Sequence, residues 1–201
     1  SRGLGDVYKR QQYHTYDRFL ELAHSNKEYT YEEAKELFFH SISQFPQDFQ
    51  DKAHEVLRDG FVDVMEKVGK RTGAYSSSVA NLHPFILLNF DHTLDSVFTV
   101  AHEAGHSIHS MYATQTQPTM LQDYTIFVAE IASTFNEHTL LDYFLSLPDA
   151  TKEEKIMVIQ KAIDEIMSTF YRQTLFAEYE YLANHLSLIH ISEPTRPEPI
   201  S

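Results

Sequence analysis

Two histidines four residues apart are the most chemically informative feature of the sequence. Residues 102–106 read His-Glu-Ala-Gly-His, which fits the pattern HExxH. In a helix, residues at i and i+4 lie on one face, so the imidazoles of His102 and His106 can bind the same ion. Zinc binds imidazole nitrogen at about 2.0–2.1 Å, and Glu103 between them can serve as a general base without being a ligand. The pattern therefore predicts the metal site of a metallopeptidase.

A third ligand has to come from elsewhere in the chain. The metzincin pattern requires glycine and histidine at the positions of His109 and Tyr112, so that class is excluded. A glutamate on a following helix would complete a His₂Glu site, and Glu130 and Glu137 share one face there. Glu130 stands in the apolar stretch 127–132, where a carboxylate requires a partner or a metal. We predict Glu130 as the third ligand.

Two nearby side chains receive supporting roles. Glu137, between polar neighbours, is expected to lie behind the metal ligands and to accept the free ring N–H of one histidine. An ordinary surface carboxylate is the alternative. His109 is interpreted as a core or supporting histidine. A purely structural helix with two core histidines would leave His102, His106 and Glu130 unexplained.

The elements that must position these residues are mostly helices joined by short loops. A strand is predicted over 83–90, directly before the motif helix, and 74–78 is a loop or short strand. Apolar periodicity and capping signals predict six helices, over 12–25, 30–44, 46–60, 94–113, 123–145 and 151–185. The expected architecture is mainly α with one small sheet.

Composition narrows the function further. The 201 residues, 42% of them hydrophobic, suit one domain. With 29 acidic against 16 basic side chains the net charge is −13, which gives nucleic-acid binding no electrostatic basis. The absence of cysteine excludes disulfides and thiolate metal sites. No apolar stretch approaches the roughly 20 residues of a membrane span. The oligomeric state stays open.

The two ends of the chain are related through the genetic code. Residues 1–11 read SRGLGDVYKRQ and residues 186–196 read LSLIHISEPTR. One codon choice for the first string has a reverse complement that translates to the second without a mismatch. We expect residues 1–11 and 186–201 to be non-native, adaptor-derived tails. Residues 12–185 are then part of a metallopeptidase catalytic domain whose gene extends beyond both ends.

Several motifs together resemble the oligoendopeptidase F family, which are thimet-oligopeptidase-like zinc metallopeptidases. Residues 102–112 read HEAGHSIHSMY and residues 123–134 read DYTIFVAEIAST. The 24 residues from His106 to Glu130 match the spacing that the family uses for its glutamate ligand. Similar strings are GKRTGAYS at 69–76, HPFILLN at 83–89 and FYRQTLFAE at 170–178. The resemblance spans essentially residues 12–185.

The resemblance implies a mainly α, zincin-like catalytic domain of the gluzincin type, with a small sheet before the HExxH helix. It implies one zinc ion per chain, bound by His102, His106 and Glu130, with Glu103 activating water. It also implies cytoplasmic hydrolysis of short, unstructured peptides in a channel between two helical halves. The segment 83–89 would be an edge strand that pairs with the substrate, through His83, Phe85, Ile86 and Leu87. An internal strand covered on both sides is the alternative.

One departure from the family limits what the chain is expected to do. The histidine and tyrosine residues that hold the substrate carbonyl in the family would follow residue 185, and the half that closes the channel is missing as well. A catalytically inactive, zinc-binding fragment is therefore one alternative. Another is a related exopeptidase, either a dipeptidyl carboxypeptidase or an aminopeptidase.

Overall fold

The computed structural model describes residues 27–79 and 82–190, with the backbone alone over 186–190. The predicted helix over 12–25 and the residues 1–11 and 191–201 of the two tails lie outside the described residues. The helices are α1 (Tyr31–Ser41), α2 (Gln47–Val56), α3 (Leu94–Thr116), α4 (Ile126–Ser146), α5 (Lys152–Ile166) and α6 (Arg172–His190). The strands are β1 (Val62–Met65), β2 (Tyr75–Ser77) and β3 (Phe85–Phe90). The mainly α architecture with one small sheet is confirmed.

Local sequence signals set where several helices begin. Thr30 and Glu33 form a capping box at the start of α1, and Thr151 and Glu154 form another at the start of α5. In each box the threonine hydroxyl accepts a backbone N–H that the helix itself leaves unpaired, and the glutamate accepts the threonine N–H. Pro46, which has no N–H to satisfy, precedes α2. These predicted helix starts are confirmed.

The sheet corrects one prediction. Its strand order is β1-β3-β2, so β3 is the middle strand, parallel to β1 and antiparallel to β2. Both edges of β3 carry partners, because Ile86 is paired with Val62 on one side and with Ser76 on the other. The expected edge strand over 83–89 is therefore wrong, and the internal alternative holds. Strand β1, which sequence analysis did not predict, forms one edge of the sheet. Strand β2 forms the other edge and packs against the motif helix, α3.

Helices α3 and α4 pack closely against each other, and α3 also packs against the sheet. On α4 the buried residues are Ser133, Asn136, Leu140 and Phe144, which recur every three or four positions, as expected for one packed face of a helix. At the crossing, a Cβ added to Gly105 would lie 2.8 Å from the Ala132 carbonyl oxygen. The missing side chain at Gly105 lets the two backbones approach this closely.

The last predicted helix is present but interrupted. A π-helical turn over Met167–Tyr171 separates α5 from α6. Along α4, α5, the π-helical turn and α6 many large apolar side chains are exposed in the described part of the chain, among them Phe127, Phe135, Ile163 and Phe170. None of the described helices combines the length and apolarity needed to cross a bilayer.

We expect Gly105→Ala to destabilise the chain by about 1–3 kcal/mol, as overpacking does in a filled interior. The new methyl group would lie 2.9 Å from both the Ser133 Cα and the Asn136 Nδ2, in addition to its contact with the Ala132 carbonyl. Urea unfolding followed by circular dichroism measures the effect. Helix propensity alone would stabilise the alanine variant by about 1 kcal/mol, so a gain in stability would contradict the close-contact explanation.

Candidate metal centre

Three ligand atoms from two helices converge beside the sheet. The Nε2 atoms of His102 and His106, one turn apart on α3, are 3.1 Å from each other. The Glu130 Oε2 atom, from the first turns of α4, lies 3.6 Å from the His102 Nε2 and 3.7 Å from the His106 Nε2. Among the described residues, these three form the cluster that could hold a metal ion.

The spacing of these atoms suits a small tetrahedral cation. Ligands about 2.0–2.1 Å from a tetrahedral zinc ion lie roughly 3.3–3.4 Å from one another. The three observed separations, 3.1, 3.6 and 3.7 Å, bracket that value. Two imidazoles and one carboxylate, without any thiolate, are donors that zinc accepts. The residues present therefore fit a zinc ion.

Glu103 points into the site but is not part of the ligand cluster. Only 5% of its surface is exposed, and its Oε2 is buried with no hydrogen-bond partner among the described residues. Its carboxylate also accepts the backbone N–H of Ser76 on β2. Burial raises the pKa of Glu103 to about 7, against the opposing charge of His102. A carboxyl group with these properties can exchange a proton near neutral pH.

Glu137 lies behind His102, on the side away from Glu130. Its Oε1 is 3.4 Å from the His102 Nδ1, which places it where a metal-ligating imidazole would donate its remaining ring N–H. Burial alone would lower the pKa of His102. The hydrogen bond and charge of Glu137, with the charges of Glu103 and Glu130, outweigh burial and raise that pKa above its usual value. Glu137 thus lies next to the His102 Nδ1, and its role in supporting a metal ligand stays a prediction.

The surroundings of Glu130 differ from those expected. Sequence analysis took its apolar neighbours as a sign that the carboxylate is buried. In the structure Phe127 is 77% exposed and Ile131 is 56% exposed, while 47% of the Glu130 side chain is exposed. The apolar stretch therefore does not enclose Glu130 within the described residues. Glu130 is identified as a candidate ligand by the short distances from its carboxylate to the two imidazoles, and not by burial.

The site opens into a groove of about 680 Å³. One wall is β2 with the residues that follow it, and the other is formed by α3, the loop after it and the start of α4. The Ser76 Oγ lies 2.8 Å from the Oγ of Ser107, a fully buried residue of α3, which ties β2 to the motif helix. Sequence analysis missed this link, because nothing local to either serine indicates the other.

His109 contacts Tyr124, which is one of the residues that line the groove. Their rings stack with centroids 4.0 Å apart, and the Tyr124 hydroxyl lies 2.7 Å from the Ser110 Oγ. Burial lowers the pKa of His109. The His109 Nδ1 has no hydrogen-bond partner among the described residues. His109 is absent from the ligand cluster, in keeping with its interpretation as a core or supporting histidine.

The residues predicted to bind substrate along β3 lie apart from the groove. His83 stacks on Phe61 with centroids 3.6 Å apart, and it contacts the Glu55 carbonyl oxygen at 3.2 Å. Strands β1 and β2 pair with the backbone of Phe85, Ile86 and Leu87. The groove is lined by β2 residues instead. The assignment of His83, Phe85, Ile86 and Leu87 to a substrate-binding edge is therefore wrong, because that edge is already occupied within the sheet.

Comparison with known proteins agrees with this geometry. Residues 6–187 match the model of peptidase family M3. The chain belongs to peptidase family M3. A solved structure from Chlamydophila abortus, assigned as a peptidase, superimposes on this M3 chain with a TM-score of 0.75 at 42% identity. That match covers 88% of the M3 chain and 30% of the other protein. The resemblance to the oligoendopeptidase F family is confirmed at the family level.

Curated relatives of the M3 chain carry consistent names. Oligopeptidase PepF of Bacillus subtilis is 36% identical over 193 residues, which is 96% of this chain and 28% of that protein. An oligoendopeptidase F homolog of Borreliella burgdorferi is 42% identical over 147 residues, 73% of this chain and 24% of the homolog. The M3 chain thus spans about a quarter of the length of these relatives.

We expect Glu137→Gln to lower the pKa of His102 in the metal-free chain, because the substitution removes the charge that favours the imidazolium. NMR titration of the histidine ring protons measures this, with His109 as the internal control, since burial is the cause of its shift. Zinc affinity should fall about 10–100-fold as well. An unchanged His102 titration would contradict the contact between the two side chains.

Proposed function

We propose that this chain carries the catalytic centre of a zinc-dependent endopeptidase that hydrolyses short, unstructured peptides. The observation that carries the proposal is the convergence of His102, His106 and Glu130, with Glu103 beside them and free of that cluster. Membership of peptidase family M3 supports the same reaction class. One zinc ion per chain is the metal that the donor set favours.

The chain's own residues divide the work of amide hydrolysis. When bound, zinc supplies Lewis acidity toward the scissile carbonyl and the attacking water. Glu103 takes a proton from the water as its oxygen bonds to the carbonyl carbon. The same carboxyl then delivers that proton to the amine nitrogen as the C–N bond breaks. His102, His106 and Glu130 hold the centre in place, and Glu137 orients His102.

We propose β2, in place of β3, as the strand that binds substrate. One edge of β2 pairs with β3, and its other side lines the groove next to Glu103. An extended peptide that adds to such an edge is held mainly through its backbone, which suits substrates of varied sequence. The Ser76–Ser107 contact fixes β2 relative to α3, and hence to the two histidines.

Two other functions use the same residues. A dipeptidyl carboxypeptidase or an aminopeptidase would share the ligands and the base, and differ in how the groove ends. The second alternative is a zinc-binding chain without turnover, which is supported by its short span relative to the named oligopeptidases. Loss of oxyanion donors commonly lowers rates about 10²–10³-fold. A cytoplasmic location is proposed from the family resemblance.

The extent of the domain is a separate proposal. We propose that residues 12–185 belong to the catalytic domain and that 1–11 and 186–201 derive from an adaptor oligonucleotide. Amplifying the locus from source DNA and sequencing across both junctions tests it. Source DNA whose codons continue to encode this sequence across position 11 or position 186 would refute the adaptor origin of the tails.

Glu130→Ala should release the metal. With only two histidines left at the site, we expect zinc content to fall from about one ion per chain to a small fraction, as measured by elemental analysis after dialysis. Glu153→Ala on α5 is the matched control, because it removes a carboxylate far along the sequence from the site. Full zinc occupancy in Glu130→Ala would place the third ligand elsewhere.

Glu103→Gln should keep zinc and lose turnover. Removing a general base typically costs about 10²–10⁴-fold in rate. The effect is measured as the rate at which an internally quenched peptide is cleaved. The assay uses this chain and, in parallel, the longer protein encoded by the complete reading frame. Zinc content equal to the wild type excludes indirect loss of the metal, and undiminished hydrolysis would refute the role of Glu103.

The same assay separates the alternatives. Products from a peptide blocked at both ends distinguish internal cleavage from removal of terminal residues. Activity in the longer protein alone supports the zinc-binding fragment. A complex of the Glu103→Gln variant with a blocked peptide tests the binding strand, and a peptide backbone lying away from β2 would exclude it.

A further inference from the structure

The hydroxyl group of Ser133 lies directly behind the Glu130 carboxylate. Its Oγ donates to the Glu130 Oε2 at 2.9 Å, the same oxygen that faces the two imidazoles. We propose that Ser133 is a positioning residue, which holds the Glu130 carboxylate in the orientation that binds the metal. This inference rests on the proposed metal site.

The Ser133 proton has two acceptors within reach. The second is the Glu130 carbonyl oxygen, at the longer distance of 3.1 Å. The neighbouring hydroxyl of Thr134 already donates to that carbonyl at 2.5 Å. A carboxylate is also the stronger acceptor, because its hydrogen bond is assisted by charge. The Ser133 proton therefore belongs mainly to Oε2.

In the described part of the chain, the polar contacts of the Glu130 carboxylate are those with the Ser133 hydroxyl and the two imidazoles. Nearly half of its side chain is exposed, and a glutamate has three rotatable bonds, so many orientations would carry Oε2 away from the histidines. A carboxylate oxygen has two lone pairs, so Oε2 can accept from Ser133 and still face His102 and His106. One hydrogen bond from a fixed donor thus selects the orientation that the site needs.

Ser133 itself is fixed by its surroundings. It is fully buried, and its Cα lies against Gly105, where an added Cβ would come within 2.9 Å. The donor is therefore anchored to the same helix, α3, that carries both histidines. Ser133 packs against α3 and donates to the Glu130 carboxylate, so it fixes that carboxylate relative to the two histidines of α3.

The first test compares two isosteric hydroxyl deletions. Ser133→Ala removes the donor to the carboxylate, whereas Thr134→Val removes only the donor to the backbone carbonyl. We expect Ser133→Ala to weaken zinc affinity about 10–100-fold, as loss of partners behind metal ligands typically does. Thr134→Val should bind zinc within about twofold of the wild type. Competition with a chromogenic chelator measures all three affinities.

Two further readouts separate positioning from stability. Urea unfolding of the metal-free variants should show similar stabilities for Ser133→Ala and Thr134→Val. With Co²⁺ in place of zinc, the visible spectrum should change in Ser133→Ala and stay as in the wild type for Thr134→Val, because it reports on ligand geometry. If Ser133→Ala does not fold, Ser133→Gly gives the same comparison, since it also removes the hydroxyl group and adds neither bulk nor a new metal ligand.

The outcomes are distinct from those for the proposed function. A wild-type chain that binds no zinc would refute the metal site itself. Wild-type affinity in Ser133→Ala or in Ser133→Gly, while the wild type binds zinc, would overturn the positioning role alone. Equal losses in Ser133→Ala and Thr134→Val would overturn it too, because the loss would then follow helix packing instead of the contact with Oε2.

Discussion

The close approach of α3 and α4 is the constraint on which the rest of the site depends. The two histidines are fixed relative to each other by one turn of α3, which any regular helix provides. The position of the third candidate ligand is not fixed by local helix geometry, because Glu130 belongs to a different helix, α4. Gly105 lies at the crossing, close to the backbone of Ala132 and Ser133. These two residues follow Glu130 by two and three positions on α4. The packing at Gly105 therefore also sets how closely the part of α4 that carries Glu130 approaches the two histidines.

The same crossing concentrates negative charge around two imidazoles. Glu130 lies close to both imidazoles, Glu137 lies beside His102, and the charge of Glu103 also acts on His102. No lysine or arginine lines the groove in the described part of the chain. Burial works against ionised groups, which is why the pKa of Glu103 rises. A divalent cation offsets this arrangement better than protonation, because it pairs with Glu130 and both imidazoles at once. The electrostatics and the ligand distances thus point to the same occupant.

Local signals allowed most of the helices and the motif to be predicted, and long-range pairing did not follow from them. The HExxH spacing, the capping boxes and the strand over 83–90 each depend on residues close together in sequence. The place of β3 within the sheet depends on β1 and β2, and β1 was missed, so its middle position could not be read from its own residues. Glu130 was assigned from its apolar neighbours, which turned out to be exposed; its spacing from His106 was the sounder signal. Ser133 lies three residues from Glu130 on one helix face, so the i,i+3 rule could have found it.

Under the proposed function, metal binding and substrate binding would depend on different parts of the fold. The proposed ligands, the proposed base and the carboxylate behind His102 all lie on α3 and α4, which pack against each other within the described residues. The groove, by contrast, is walled by β2, α3 and the start of α4, and the apolar side chains along α4 to α6 are exposed. Exposed apolar surface on this scale is typical of an interface. The curated relatives are about three to four times longer than this chain. Under the proposed function, the packing of α3 and α4 would assemble the metal centre, while substrate binding would depend on β2 and the other walls of the groove.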